Sequence, residues 1–199
     1  MRFLFFLKSV RPSIFGLTKC FRVYFWKQFM QPTILTIFGV TGDLANRKLF
    51  PSLYALFMRG VLPKELRIVG FARKENTDES FRAIVTESIK KKNPNIEISA
   101  EFLQLFSYVK GELDDESSYT RLSETLEKID REILKTSSLH LFFLSVPPNL
   151  YETIARFLAR PGLMERTSGE SRLLLEKPFG RDIETAEKLD ALLGSLFDE

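Results

Sequence analysis

Apolar positions along the chain follow two spacings, one typical of buried strands and one typical of helices that bury a single face. The predicted strands are short apolar runs at residues 33–38, 67–71, 102–109 (the weakest), 139–145 and 172–175. The predicted helices are residues 44–58, a helix with Asp78 as its N-cap, residues 117–134, residues 149–158, and a last helix from Asp182 to about residue 197. Strands that alternate with helices favour an α/β fold, a doubly wound parallel sheet with helices on both faces.

Composition is that of a globular protein, with 44% hydrophobic and 28% charged residues over 199 positions. The single cysteine, Cys20, cannot form an internal disulfide, which excludes the small disulfide-stabilised class. Together with a single histidine, His140, it makes a structural zinc site a poor fit, so we expect no metal.

The basic character of the chain is confined to its first 31 residues, which contain six lysines and arginines and no acidic residue. The remainder has 23 basic and 26 acidic residues, a net charge of −3, so we expect no nucleic-acid partner. Charges recur too often in this segment for a membrane span. We expect residues 1–32 to be a basic, aromatic extension: a targeting presequence, a segment that lies on an anionic membrane, or an over-extended start before Met30.

A glycine-containing turn follows the first predicted strand and precedes the first predicted helix. Its residues are Gly39, Val40, Thr41, Gly42, Asp43, Leu44 and Ala45. At such a position, glycines permit a tight turn, backbone N–H groups approach a pyrophosphate, and the helix N-terminus favours negative charge. The spacing GxxGxxA is not the strict dinucleotide pattern, so its place between strand and helix is the stronger indication.

The end of the second predicted strand is basic where NAD-specific domains usually carry an acid. Arg73 and Lys74 follow directly after Ala72. A carboxylate would repel a 2′-phosphate, whereas an arginine can bind it through two hydrogen bonds. The sequence therefore favours NADP over NAD, the alternative being a solvated basic pair on a loop.

These residues resemble the glucose-6-phosphate dehydrogenase family. The glycine turn continues into Asn46 and the run RKLFPSL at residues 47–53, similar to the family signature GxxGDLAxRKLxPxL. Four further stretches resemble the family in unbroken order: GVLP at 60–63, VGFAR at 69–73, LSVPP at 144–148 and EKPFGRD at 176–182. The resemblance covers about residues 33–199 and implies a Rossmann-like domain.

The resemblance implies a coenzyme role for several matching residues. The turn from Gly39 to Asn46 would cradle NADP, with contacts from Thr41 and Asp43, and Arg73 would bind the adenosine 2′-phosphate. Asn46 stands where the family commonly has lysine, which we expect to weaken phosphate binding modestly.

Three more residues are implied on the side of the nicotinamide and the substrate. Tyr151 would lie beside the coenzyme, and Lys177 would contact both glucose 6-phosphate and the nicotinamide end. The peptide bond between Lys177 and Pro178 is typically cis in the family. Lys48 would lie near the substrate region.

The resemblance also implies parts that these 199 residues do not supply. The family's next motif, RIDHYLGK, does not occur, and its general base is a histidine of a large C-terminal substrate domain, which we expect to be absent. His140 lies within an apolar strand outside every family motif, and we predict a structural role for it.

We therefore expect the NADP-binding domain of a glucose-6-phosphate dehydrogenase, which oxidises glucose 6-phosphate to 6-phosphogluconolactone in the pentose phosphate pathway and acts as a cytoplasmic homo-oligomer. We expect the chain alone to bind NADP weakly and to be inactive. One alternative is a non-catalytic dinucleotide-binding module, targeted to an organelle by residues 1–29 or anchored to a membrane by its extension. Another sugar oxidoreductase is a further alternative, which the motifs disfavour.

Overall fold

The computed structural model describes residues 31–91, 93–160, 162–164, 166, 169–177, 179–180 and 182–197. The basic extension predicted at residues 1–32 lies outside the described residues except for Gln31 and Pro32. Pro178, and with it the expected cis peptide, also lies outside them, as does Arg181.

Five strands and six α-helices make up the described part of the chain. The strands are β1 (Thr33–Phe38), β2 (Leu66–Ala72), β3 (Phe106–Lys110), β4 (Leu139–Leu144) and β5 (Ser171–Leu175). The α-helices are α1 (Phe50–Met58), α2 (Asp78–Lys90), α3 (Ala100–Leu103), α4 (Glu116–Lys128), α5 (Tyr151–Leu158) and α6 (Ile183–Leu196). Shorter helical turns extend three of them: a π-helical turn Ala45–Leu49 before α1, another at Ile129–Leu134 after α4, and a 3-10 turn Pro148–Leu150 before α5.

The strands form one parallel sheet in the order β3-β2-β1-β4-β5. This arrangement confirms the predicted doubly wound α/β fold. Phe38, the last residue of β1, is in register with Phe71 of β2 on one side and with Leu144 of β4 on the other. The strand order reverses beside β1, and the crevice outside the carboxyl ends of β1 and β4 is where such sheets bind ligands.

Helices cover both faces of the sheet and bury two aromatic cores. On the face covered by α1, α2 and α3, the rings of Phe50, Phe81 and Phe106 pack edge to face in a triangle with centroids 6.0 Å apart. On the face covered by α4, α5 and α6, Phe38 stacks on Tyr119 with centroids 6.0 Å apart. The two cores hold β1, the central strand, completely buried along most of its length.

Two sequence predictions are wrong in detail. The N-cap of α2 is Thr77, whose hydroxyl accepts a hydrogen bond from the Ser80 backbone, while Asp78 is the first helical residue. The strand predicted at residues 102–109 is divided: α3 occupies its start, and β3 begins only at Phe106. Ser99 caps α3 by accepting a hydrogen bond of 3.2 Å from the amide of Glu101.

Among the described residues, no helix is both long enough and apolar enough to cross a membrane.

Candidate functional site

Gly39 begins the turn that leaves β1, and its position requires glycine for two separate reasons. Its φ is +74°, a conformation that costs a residue with a Cβ free energy. A Cβ there would lie 2.5 Å from Cγ1 of Val146 and 2.6 Å from the carbonyl oxygen of Ser145. The Gly39 amide donates to the carbonyl of Phe71 at 2.9 Å, so the turn is also attached to β2. The backbone of this turn therefore passes closely against the end of β4.

Gly42 closes the turn and begins the helical turn that follows it. Its amide donates to the Gly39 carbonyl at 2.8 Å, and its own carbonyl accepts from the Asn46 amide at 3.2 Å. Thr41 and Asp43 on either side of it are exposed. The first amides of a helix have no carbonyl partner within the helix, and together with the helix dipole they form a site for an anion. The backbone amides at the start of this helical turn are therefore suited to an anionic group.

The side chain of Asn46 is directed back to this turn. Its Nδ2 donates to the Gly42 carbonyl at 2.7 Å, and its Oδ1 accepts from the Ser88 hydroxyl of α2, also at 2.7 Å. Ser88 is buried, and its hydroxyl also lies 2.7 Å from the Ile84 carbonyl, so that its single proton is shared between two acceptors. Asn46 therefore connects the glycine turn to α2. The part that Ser88 plays in this connection was not indicated by the sequence motifs. The only signal was a serine within the otherwise apolar inner face of α2.

The outer face of the same helical turn is charged and exposed. Asp43 and Arg47 form an ion pair of 3.2 Å, and both side chains are largely in solvent, so the pair adds little stability. Lys48, predicted to lie near the substrate region, is exposed on the π-helical turn beside them.

The turn after β2 presents Arg73 and Lys74, both exposed, next to the glycine turn. Arg73 has no hydrogen-bond or ion-pair partner among the described residues. The carboxylate that follows, Glu75, is paired with Lys110 of β3 at 2.7 Å, and this contact lowers the pKa of Glu75. The guanidinium of Arg73 is therefore available to an anionic group, and the nearest acid in sequence is already paired.

Tyr151 and Lys177 follow the carboxyl ends of β4 and β5, on the other side of the crevice. Tyr151 is only 2% exposed, and its hydroxyl donates to the carbonyl of Glu176 at 3.0 Å. Burial raises the pKa of this hydroxyl, which keeps it a donor. Lys177 follows as an exposed residue directly after that contact. The structure thus places Tyr151 where it holds the chain that presents Lys177.

These residues share one edge of the sheet. The glycine turn, Arg73, Tyr151 and Lys177 all follow the carboxyl ends of strands, as the sequence predicted. Their roles toward a coenzyme or a substrate remain predictions.

His140 lies near the start of β4, at the opposite edge of the sheet. It is 1% exposed, and its Nε2 lies 3.1 Å from Oδ2 of Asp130. The same carboxylate accepts from Arg166 at 2.6 Å and from the Ser138 hydroxyl at 2.5 Å. Burial, aided by the positive charge of Arg166, lowers the pKa of His140 to about 4. The imidazole belongs to a buried structural network.

Comparisons with known proteins show which family the chain is similar to. The family model described as glucose-6-phosphate dehydrogenase, NAD binding domain, matches residues 36–199. The chain belongs to this family. Membership confirms the predicted dinucleotide-binding domain of the glucose-6-phosphate dehydrogenase type, at the level of NAD(P).

Curated relatives of this family are similar over most of the chain. Glucose-6-phosphate 1-dehydrogenase of Leuconostoc mesenteroides is 38% identical over 167 residues, which are 84% of this chain and 34% of that protein. The Streptococcus pneumoniae serotype 4 protein of the same name is 39% identical over 166 residues, 83% of this chain and 33% of that protein.

Solved structures of the family show the same fold. A structure titled glucose-6-phosphate dehydrogenase in complex with its substrate glucose-6-phosphate has a TM-score of 0.74 at 32% identity and covers 86% of this chain and 35% of that one. Glucose-6-phosphate 1-dehydrogenase from Mycobacterium avium has a TM-score of 0.70 at 34% identity, with coverages of 84% and 34%. The chain spans about one third of the length of the relatives that it matches.

Proposed function

We propose that this chain is the NADP-binding part of a dehydrogenase that oxidises glucose 6-phosphate to 6-phosphogluconolactone. The observation that carries the proposal is the pairing of two features at one sheet edge: the glycine turn packed against Ser145 and Val146, and an unpaired Arg73 on the adjacent strand end.

The residues fit NADP in each part. The space that a Cβ at Gly39 would fill lets the backbone pass close to β4, and the helix that begins after Gly42 offers amides to the pyrophosphate. Arg73 offers a planar pair of donors to a 2′-phosphate, and the next carboxylate in sequence, Glu75, is paired with Lys110.

When bound, NADP supplies the acceptor for a hydride from the sugar. In the proposal, Lys177 holds the substrate hydroxyl and its phosphate-bearing sugar near that acceptor, and Tyr151 keeps Lys177 in place through the Glu176 carbonyl. Lys48 contributes positive charge toward the anionic substrate. The proposal includes a homo-oligomer and a cytoplasmic location; both are supported by the family resemblance, and two relatives are named cytoplasmic.

The chain itself can be tested directly. We expect NADPH to bind it with an enhanced nicotinamide fluorescence, and we expect a Lys177→Ala variant to retain this binding with a smaller enhancement. Absence of any NADPH binding by the folded chain would refute the proposal.

Catalysis by the chain is a second, separate test. Oxidation of the sugar needs a base within about 3 Å of the hydroxyl proton. His140, the single histidine of the sequence, is buried at the opposite sheet edge. We therefore expect no measurable NADPH formation when the chain is mixed with NADP and glucose 6-phosphate. Clear substrate-dependent formation of NADPH would contradict this expectation.

A further inference from the structure

Tyr108 of β3 reaches across to the turn that carries Arg73. Its hydroxyl lies 2.9 Å from the carbonyl oxygen of Ala72 and also donates to the carbonyl of Lys74. These two carbonyls belong to the residues on either side of Arg73. One hydroxyl group therefore contacts the backbone both before and after this arginine, and its single proton is shared between the two carbonyls.

The position of this hydroxyl is set by elements other than the turn. The Tyr108 amide donates to Oδ1 of Asp78 on α2 at 2.7 Å, and the Tyr108 ring packs on the ring of Phe81 with centroids 5.4 Å apart. Burial raises the pKa of the Tyr108 hydroxyl, so it remains protonated and able to donate near neutral pH. Contacts outside the turn therefore fix the position of the Tyr108 side chain, and its hydroxyl in turn holds the backbone of the turn.

Besides Tyr108, the contacts of this turn lie on either side of Arg73, and the exposed ion pair of Glu75 with Lys110 at 2.7 Å is one of them. The Ala72 carbonyl also accepts from the Gly111 amide at 3.1 Å, which holds the start of the turn. The Lys74 carbonyl has, besides Tyr108, only a long contact of 3.4 Å from Nδ2 of Asn76 among the described residues. Loss of the Tyr108 hydroxyl would therefore loosen the backbone at Arg73 and Lys74 while leaving β2 and β3 paired.

We propose that Tyr108 is a positioning residue that favours NADP over NAD by holding the Arg73 turn in place, an inference that rests on the proposed function of Arg73. A side chain presented by an ordered turn loses less conformational entropy when it binds a phosphate. NAD has no 2′-phosphate and gains nothing from an ordered Arg73. The hydroxyl of Tyr108 therefore affects one coenzyme and not the other.

The test compares two coenzymes on matched tyrosine variants of the chain. For Tyr108→Phe, we expect the dissociation constant of NADP to rise about five- to tenfold, as for the loss of one hydrogen bond, and that of NAD to change by less than about twofold. The control is Tyr54→Phe, because the Tyr54 hydroxyl also donates to a backbone carbonyl, that of Glu97, at 2.8 Å. We expect Tyr54→Phe to leave the ratio of the two constants unchanged.

A second pair of variants shows whether Tyr108 acts through Arg73. In an Arg73→Ala background, we expect Tyr108→Phe to cause no further loss of NADP affinity. Adenosine 2′,5′-bisphosphate and 5′-AMP, which differ only in the 2′-phosphate, should repeat the selective effect.

Three results would overturn the inference: equal losses for NADP and NAD in Tyr108→Phe, no change for either, or a further loss in the Arg73→Ala background. If the wild-type chain binds neither coenzyme, the proposed function fails and the inference fails with it. If the wild-type chain prefers NADP and Tyr108→Phe keeps that preference, only the inference fails.

Discussion

The hydroxyl of Ser88 on α2 donates a hydrogen bond of 2.7 Å to Oδ1 of Asn46, one residue beyond the glycine turn. Asn46 in turn donates to the Gly42 carbonyl at 2.7 Å. The glycine turn is therefore held in place by α2, a separate helix that packs on the sheet. Asn46, which replaces the lysine expected from the family resemblance, serves the geometry of the turn through these contacts.

Removal of this connection should weaken both coenzymes alike. We expect Asn46→Ala to raise the dissociation constants of NADP and NAD by about three- to tenfold each, because the turn loses two hydrogen bonds that order it. Ser88→Ala should have a smaller effect in the same direction. The control is Ser123→Ala, because the hydroxyl of Ser123 also donates to a backbone carbonyl, that of Gly162, far along the chain. Calorimetric titration measures both constants, and a loss confined to NADP would show that this account of Asn46 is wrong.

Two glycines separate the effect of backbone conformation from that of close packing. Gly39 and Gly60 both have positive φ, +74° and +64°, but only at Gly39 would a Cβ meet other atoms. Gly60→Ala should cost about 1–2 kcal/mol of unfolding free energy, the cost of the left-handed conformation alone. Gly39→Ala should cost more than that and should also abolish coenzyme binding, because the turn must move away from Ser145. Denaturant titration of both variants provides the comparison, and equal losses of stability would contradict it.

The buried His140 should make stability depend on pH. Its folded pKa, about 4, lies below its ordinary value of 6.5, so the unfolded chain takes up the proton first as the pH falls. The free energy of unfolding should therefore be highest above about pH 6.5 and fall toward pH 4, with a slope of at most about 1.4 kcal/mol per pH unit from this residue.

The slope of the unfolding free energy against pH, measured between pH 7 and pH 5, identifies the contribution of His140, because most carboxylates titrate at lower pH. His140→Phe removes the titrating group and leaves Asp130 paired with Arg166. We expect the variant to have a shallower slope in urea titrations, whatever its absolute stability. A slope equal to that of the wild-type chain would assign the pH dependence to other groups.

Periodicity predicted those parts of the fold that depend on local pattern. The bounds of β1 match the prediction, because a six-residue, β-branched apolar run between Pro32 and Gly39 favours a strand over a helix. The apolar run at residues 102–109 was ambiguous, and the Ser99 cap divided it into a short helix and a strand.

The residues of the candidate site likewise fall into those that the sequence could predict and those that it could not. The glycine turn, Arg73 and Lys177 were predictable, because their residue types and their places at strand ends are visible in the sequence. Ser88 and Tyr108 were not, because each acts through a hydrogen bond to a residue more than thirty positions away. Such contacts follow from the order of the strands and from helix packing, which periodicity does not specify.

The central claim is that Arg73 makes this domain an NADP-binding one. The most direct measurement is the ratio of the NAD to the NADP dissociation constant, determined by calorimetry for the wild-type chain, for Arg73→Ala and for the neighbouring Lys74→Ala. We expect the wild-type chain to favour NADP by at least about tenfold, Arg73→Ala to abolish that preference by weakening NADP alone, and Lys74→Ala to retain most of it. Equal binding of NAD and NADP by the wild-type chain, unchanged in Arg73→Ala, would contradict the account.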